Sequence, residues 1–165
     1  MAMKKYRVLF VCSGNAARSL FAEALLNTMA GDRFEAFSAG SAPMDTPHPL
    51  TLEVLTRQGM DTSSLYSKGL EHFTGSDVPH MDFIFTLCDK TAGEGCPVMP
   101  GQPITAHWGF PDPTAIEGNE EERIRGFVKV EKQIATRLRL FISLPMGKIE
   151  RMSLQAQLRQ WGSDN

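Results

Sequence analysis

Little in this chain points to a membrane, to nucleic acid or to the outside of a cell. None of its apolar runs is long enough to span a bilayer. Seventeen Lys and Arg against nineteen Asp and Glu leave a net charge of −2, so no basic field suggests a nucleic-acid partner. Cysteine is scarce and its count is odd: three residues, Cys12, Cys88 and Cys96. That number does not suit a secreted disulfide framework and suits thiol chemistry in a reducing cytosol. Met1 to Arg7 leads straight into an apolar strand, no signal peptide is visible, and a cytoplasmic protein is expected. There is no C-x2-C pair and no grouped set of zinc ligands, so neither a metal nor a cofactor is expected. Repeats and linkers are also missing. What remains is an ordinary soluble composition, 42% hydrophobic and 22% charged over 165 residues, enough for one domain with a real core. We expect that domain over residues 1–147 and a tail or short helix over 148–165, where Ile149, Met152 and Leu158 make a weak amphipathic pattern.

The most informative segment is Val8-Leu9-Phe10-Val11-Cys12-Ser13-Gly14-Asn15-Ala16-Ala17-Arg18-Ser19. The short apolar run reads as a strand buried on both faces. From Ser19 onward, Phe21, Ala24, Leu25 and Met29 recur at helical spacing. The loop between them therefore sits on a helix N-terminus, where unpaired amides and the helix dipole favour an anion. Gly14 is expected to let the backbone curl, so that the amides of Ser13, Gly14, Asn15, Ala16, Ala17 and Arg18 turn inward as a nest. The Arg18 guanidinium adds a planar fork for two oxygens of a tetrahedral oxyanion. The same field favours the thiolate of Cys12, and the Ser19 hydroxyl can donate to its sulfur. Cys12 thus reads as a nucleophile held against an oxyanion.

Strands and helices alternate along the rest of the chain. We expect a second strand over Arg33 to Ser38 and a helix from about Pro49 to Gln58, with Leu52 and Leu55 inward and Gly59 as its stop. A short helical turn is expected near Leu70 to Phe73. Phe83 to Leu87 reads as a third strand ending at Cys88, Gln102 to His107 as a weaker fourth. A final helix over about Glu120 to Ser143 carries the stripe Phe127, Val130, Ile134, Leu138 and Phe141, which is core. This order predicts an α/β protein, a single-domain three-layer sandwich with a four-stranded parallel sheet and helices on both faces. Ligands of such sheets bind beyond the carboxyl ends of the strands, where Cys12 and Cys88 both fall. His48, His72, His80 and His107 are scattered, and none is assigned chemistry. Trp108 and Phe110 are expected to pack under the loop that carries Asp112.

These residues resemble a known family, the low-molecular-weight protein tyrosine phosphatases and the arsenate reductases that share their fold. Residues Cys12 to Ser19 are similar to the family's phosphate loop, Phe37-Ser38-Ala39-Gly40 to its second-strand motif, and Asp112-Pro113 to its general-acid loop. The resemblance covers about Lys5 to Leu144. The three-cysteine reductase branch is the closer likeness, because Thr86-Leu87-Cys88 and Cys96-Pro97 stand where it carries two further cysteines. His107-Trp108-Gly109-Phe110-Pro111-Asp112-Pro113 is similar to its acid loop. The tyrosines usual after Asp-Pro in the phosphatases are missing: the chain has only Tyr6 and Tyr66.

The resemblance implies a reaction that the thiol count also suits. A phosphatase needs one thiol; a reductase must deliver two electrons, which a thiol pair supplies on becoming a disulfide. Implied roles are Cys12 as nucleophile, Arg18 and Ser19 as its support, Asp112 as general acid, and Cys88 and Cys96 as the redox pair. The spacer between them, with Gly93 and Gly95, is suited to rearrangement. The partner implied is arsenate or phosphate, with thioredoxin the expected reductant and a glutathione/glutaredoxin or mycothiol system as alternatives. Asn15 is expected to brace the loop by bonds to its backbone. In some such reductases the counterparts of Asn15, Glu23 and Ser38 line a potassium site with an aspartate; Lys68 stands at that position here. Two readings of Lys68 stay open, an internal replacement for the cation and a solvated surface lysine. Ala16-Ala17 replaces the Ser-Cys of many thioredoxin-linked members, which leaves the choice of reductant open. Two other functions stay open as well: phosphomonoester hydrolysis through Cys12, and an oxyanion or redox sensor signalling through Cys88 and Cys96.

Overall fold

Tyr6–Cys12 forms β1, and its alternating side chains explain why an unbroken apolar run is needed there. Val8 and Phe10 enter one core and Leu9 and Val11 the other. The computed structural model describes residues 5–73, 80–87 and 104–145. In it β1 runs parallel between β2 (Phe34–Gly40) and β3 (Phe83–Thr86), and β4 (Ile104–His107) pairs with β3, giving the order β2-β1-β3-β4. The connection from β1 goes to β2 on one side, while β3 lies on the other. The order therefore reverses beside the end of β1, and the register pairs Cys12 with Gly40 there. A loop leaving β1 at that point enters the crevice where open α/β sheets bind ligands.

Among the described residues three α-helices build the larger core: α1 (Arg18–Ala30), α2 (Pro49–Arg57) and α3 (Glu120–Ile142). Phe21 and Leu25 of α1, Val54 and Leu55 of α2, and the expected stripe of α3 all join Val8 and Phe10. Leu52 is only half-buried; Leu50 and Val54 take the inward places beside Leu55. On the second face Leu9, Val11, Ala39 and Ile84 meet Met81 and Phe73, the latter from a 3-10 turn, Leu70–Phe73. Among the described residues that short turn, not a long helix, forms the second covering layer. This is the expected α/β fold.

Local chemistry sets the ends of these elements. Pro49 occupies the first turn of α2, where its missing N–H costs nothing, and the His48 ring caps the helix by accepting from the Leu50 amide at 3.1 Å. Gly59, at φ 83°, ends the turn that follows. Asn119 and Glu122 form a reciprocal capping box at the start of α3. At its other end Arg33 donates to the Ile142 carbonyl at 2.8 Å. Asn27 of α1 bonds both the amide and the carbonyl of Ala36, at 2.9 and 3.2 Å, and so closes part of the free edge of β2. Under the C-terminal end of the sheet Trp108 is fully buried and stacks on Phe85 with ring centroids 3.9 Å apart. Such aromatic pairs contribute about 0.5–1.5 kcal/mol beyond their buried area. No helix among the described residues is long and apolar enough to cross a membrane.

Candidate active site

Residues 13–17 link β1 to α1, and their backbone is held from outside. The carbonyls of Cys12, Ser13, Gly14 and Ala16 accept from the amides of Ser41, Ala42, Met44 and His48, at 3.2, 2.8, 2.8 and 3.0 Å. With four carbonyls turned outward, the amides of residues 13–17 bond no acceptor among the described residues. They are left to form the anion nest expected at the start of α1. The expectation for Gly14 is corrected: the left-handed residue of the loop is Asn15, at φ 47°. Asn tolerates that conformation better than most residues. The glycine that the loop requires is Gly40. A Cβ there would stand 2.6 Å from the Ser13 carbonyl oxygen and 3.0 Å from the Asn15 amide nitrogen. The strand register that pairs Gly40 with Cys12 thus brings the loop down onto bare backbone.

Asn15 is fully buried and fixes the direction of a short hydrogen-bond chain. Its Oδ1 accepts from the Lys68 backbone amide at 2.9 Å. A backbone amide can only donate, so the Asn15 Nδ2 must face Ser19, and it donates to Ser19 Oγ at 2.7 Å. The hydroxyl, having accepted, has its own proton free for Cys12 Sγ, 2.9 Å away. Asn15 therefore braces the loop through Ser19 and the Lys68 amide, where bonds to the loop backbone were expected. A further tie comes from the Ser67 hydroxyl, which donates to the Asn15 carbonyl at 2.7 Å.

Arg18 is 8% exposed, which leaves its guanidinium at the edge of the cavity with few alternatives to the contacts it makes. Nη1 donates to the Phe110 carbonyl at 3.0 Å, and Nη2 lies 3.7 Å from Asp112 Oδ2. Asp112 caps the 3-10 turn Pro113–Ala115: its Oδ1 accepts from the Thr114 amide at 2.9 Å and hydroxyl at 2.6 Å. The other oxygen is thereby aimed at Arg18. Trp108 is fully buried with its ring against Phe85 and Phe141, while Phe110 is half-buried and contributes its carbonyl.

A cavity of about 370 Å³ opens over the loop. Cys12, Ser13, Gly14, Ala16, Ala17 and Arg18 form its floor. Asp112 and Thr114 stand on one wall, and Met44, Thr46, Pro47, His48 and Pro49 on another. His48 was assigned no chemistry in the sequence, yet its ring belongs to this wall. Burial and the Arg123 guanidinium push the imidazole pKa down, and Asp112 opposes them. The available signal was its place before a helix-opening proline, which marks it as a cap.

Behind the loop, Lys68 is buried at 7% exposure, so the reading of a solvated surface lysine is overturned. Its Nζ donates to the Tyr66 carbonyl at 2.8 Å and stands 3.5 Å from Ser38 Oγ and 3.8 Å from Glu23 Oε1. The Ser38 hydroxyl donates to Glu23 at 2.5 Å. Burial pushes the Glu23 carboxyl up, against the Ser38 bond and the Lys68 charge. Burial also pushes the Lys68 ammonium down, against Glu23. Among the described residues no group of three or more His, Cys, Asp or Glu is arranged to hold a metal ion. Cys88 and Cys96 lie outside the described residues.

A strand-loop-helix with a buried cysteine at its head, an arginine at its foot and an aspartate opposite is a pattern with relatives. The family model for low molecular weight phosphotyrosine protein phosphatases matches residues 7–157. The chain belongs to this family. Within the phosphatase family it is similar to proteins named arsenate reductase. One, from Bacillus licheniformis, is 33% identical over 140 residues, covering 84% of this chain and 96% of the relative. Another, from Shouchella clausii, is 34% identical over 139 residues with the same coverage. Among solved structures, a thioredoxin-dependent arsenate reductase of Corynebacterium glutamicum shares 30% identity at a TM-score of 0.56. That likeness takes in 85% of this chain and 65% of the other, slightly under two thirds of its length. An arsenate reductase in a phosphate-binding state gives a TM-score of 0.64 at 25% identity, over 84% of this chain and 97% of that one. A low molecular weight protein tyrosine phosphatase of T. tengcongensis, at 23% identity and a TM-score of 0.64, has the family's fold in common with it.

Proposed function

We propose that this chain reduces arsenate to arsenite through Cys12, Cys88 and Cys96. Arsenate sits in the nest of residues 13–17 with two oxygens on Arg18. The Cys12 thiolate attacks arsenic; an As–S bond forms as an As–O bond breaks, and Asp112 gives the departing oxygen its proton. The Cys88 thiolate then attacks Cys12 Sγ. The As–S bond electrons pass to arsenic, which leaves as arsenite, and a Cys12–Cys88 disulfide remains. Attack of Cys96 on Cys88 returns Cys12 as thiolate, and the Cys88–Cys96 disulfide is left for an external dithiol to reduce.

The observation that carries this reading is the meeting of β1 and β3 at the floor of the site. The Leu87 amide donates to the Val11 carbonyl at 2.8 Å, so the residue before Cys88 lies beside the residue before Cys12. The relatives named arsenate reductase support the same assignment. A thioredoxin-type protein is the reductant we favour, in a reducing cytosol, and residues 1–147 form the working unit. Lys68 serves as a built-in cation beside Glu23 and Ser38. Activity that does not respond to potassium and falls more than tenfold in Lys68→Ala supports that role; potassium stimulation of the wild type removes it.

The cavity also favours a second reading, hydrolysis of phosphomonoesters by the same thiol, because it is much larger than a single oxyanion requires. One experiment separates the two. Reduced protein is mixed with one equivalent of arsenate without external reductant, and free thiols are counted. Reduction consumes two of three thiols, maps them to Cys88–Cys96 and releases arsenite; Cys88→Ser abolishes this while sparing aryl phosphate hydrolysis. Three unchanged thiols together with hydrolysis of an aryl phosphate would favour the hydrolase instead.

A further inference from the structure

Two hydrogen-bond donors face each other where His48, on the cavity wall, meets Arg123 of α3. His48 Nδ1 accepts from the Leu50 amide, so it carries a lone pair, and the neutral ring holds its proton on Nε2. Arg123 Nη2 lies 3.4 Å from that nitrogen. A guanidinium has donors and no acceptor, so the contact sets donor against donor. The other tautomer moves the conflict to the Leu50 amide without removing it, and the protonated ring keeps it and adds like charge. The ring cannot turn away easily, because its centroid lies 4.8 Å from that of Phe127. Among the described residues Arg123 has no carboxylate partner. The pair is arranged to share an acceptor that the chain itself does not supply.

We propose that His48 and Arg123 form a second anion subsite, selecting ligands that carry a further phosphate or carboxylate beside the oxyanion held over Cys12. This rests on the reading of the Cys12 loop as an oxyanion site. The two sites are adjacent: the His48 backbone donates to the Ala16 carbonyl at 3.0 Å, so its ring is one side chain from the nest. A water molecule takes about 30 Å³ of liquid. One tetrahedral oxyanion therefore occupies a minor part of the 370 Å³ cavity. Met44, Pro47 and Pro49 line the same cavity as His48 and give it an apolar side for the linking part of a ligand. Asp112 is the carboxylate on the opposite wall, and it is already turned toward Arg18. Arg18 lines the cavity and Arg123 stands behind His48, so the Asp112 charge, which also reaches His48, is shared between two guanidiniums.

The test uses the reduced full chain, with phosphate and pyrophosphate titrated by calorimetry. Charge-assisted bonds to His48 and Arg123 should make pyrophosphate bind about tenfold or more tightly than phosphate. His48→Asn keeps a cap for α2, since an Asn oxygen accepts from the Leu50 amide, but loses the Nε2 proton. Arg123→Gln removes the cation from a half-buried surface. Each should cut the pyrophosphate advantage to less than about threefold while phosphate affinity changes far less. Pyrophosphate binding no tighter than phosphate in the wild type, or an advantage that survives both substitutions, overturns the proposal. Absence of phosphate binding in the wild type would sink the loop reading itself, and this proposal with it.

Discussion

Ser19 stands between a fixed donor and a sulfur, and its chemistry follows from that position. Because Asn15 is oriented by the Lys68 amide, Ser19 has one lone pair engaged and one proton to give. A hydrogen bond to a charged partner contributes about 1.5–3 kcal/mol. Ser19→Ala should therefore slow alkylation of Cys12 by iodoacetamide at neutral pH by roughly 10- to 100-fold. An unchanged rate would show that the loop amides alone sustain the nucleophile. The role of Ser19 was readable from its place after the arginine. The route through Asn15 was not, since nothing local links residue 15 to residue 68; only the tertiary fold sets them together.

At the scale of the element, the loop and the end of β2 are one unit. Gly40 gives the loop its floor, and a methyl group there meets backbone, which cannot swing aside. Gly40→Ala should cost about 1–3 kcal/mol in stability, as overpacking does. It should also weaken phosphate binding at least tenfold by lifting Ser13 and Asn15. Thermal unfolding and calorimetry check the two effects separately, and a variant with wild-type values for both would refute the account of the floor. Sequence pattern places β1, α1, α2 and α3 closely, because burial periodicity and capping residues act over a few positions. It misassigns the special conformation to Gly14 because a glycine inside a phosphate loop is the obvious candidate. The demand at Gly40 arises from strand register, which no local pattern encodes. The contact of His48 with Arg123 is hidden from the sequence for the same reason: the cap is local, but the meeting depends on how α2 and α3 pack.

For the whole molecule, the buried pair behind the site links stability to pH. Burial raises Glu23 above its ordinary 4.5, so the folded state binds its proton more tightly than the unfolded state does. The resulting stabilisation is full below 4.5 and is lost as pH rises through the raised value. Lys68 acts in another range: its lowered pKa lets stability rise with pH only between that value and 10.5. Glu23→Gln keeps an acceptor for Ser38 and removes the acidic-side slope. Wild type minus variant stability, from denaturant titrations at a series of pH values, should therefore grow as pH falls toward 4.5. A difference flat across that range would show that Glu23 titrates alike in both states. The overall architecture was legible because alternating apolar segments fix a parallel sheet. The depth of Lys68 was not, because a lone lysine in a loop carries no mark of burial.

The four carbonyls held by residues 41–48 have a consequence for how the loop could be moved or copied. Every side chain named for the oxyanion floor falls within residues 12–19, a stretch short enough to synthesise. The bonds that turn its amides inward come from the return of the chain after β2, and Gly40 closes the site from below. A peptide of residues 8–20 would carry the motif whole and still have its amides facing water. Grafting the motif into another protein would fail alike unless the segment after the second strand travelled with it. The transplantable unit is therefore β1-α1-β2 together with the chain that follows as far as Lys68, and the motif is only the part of that unit that meets the ligand.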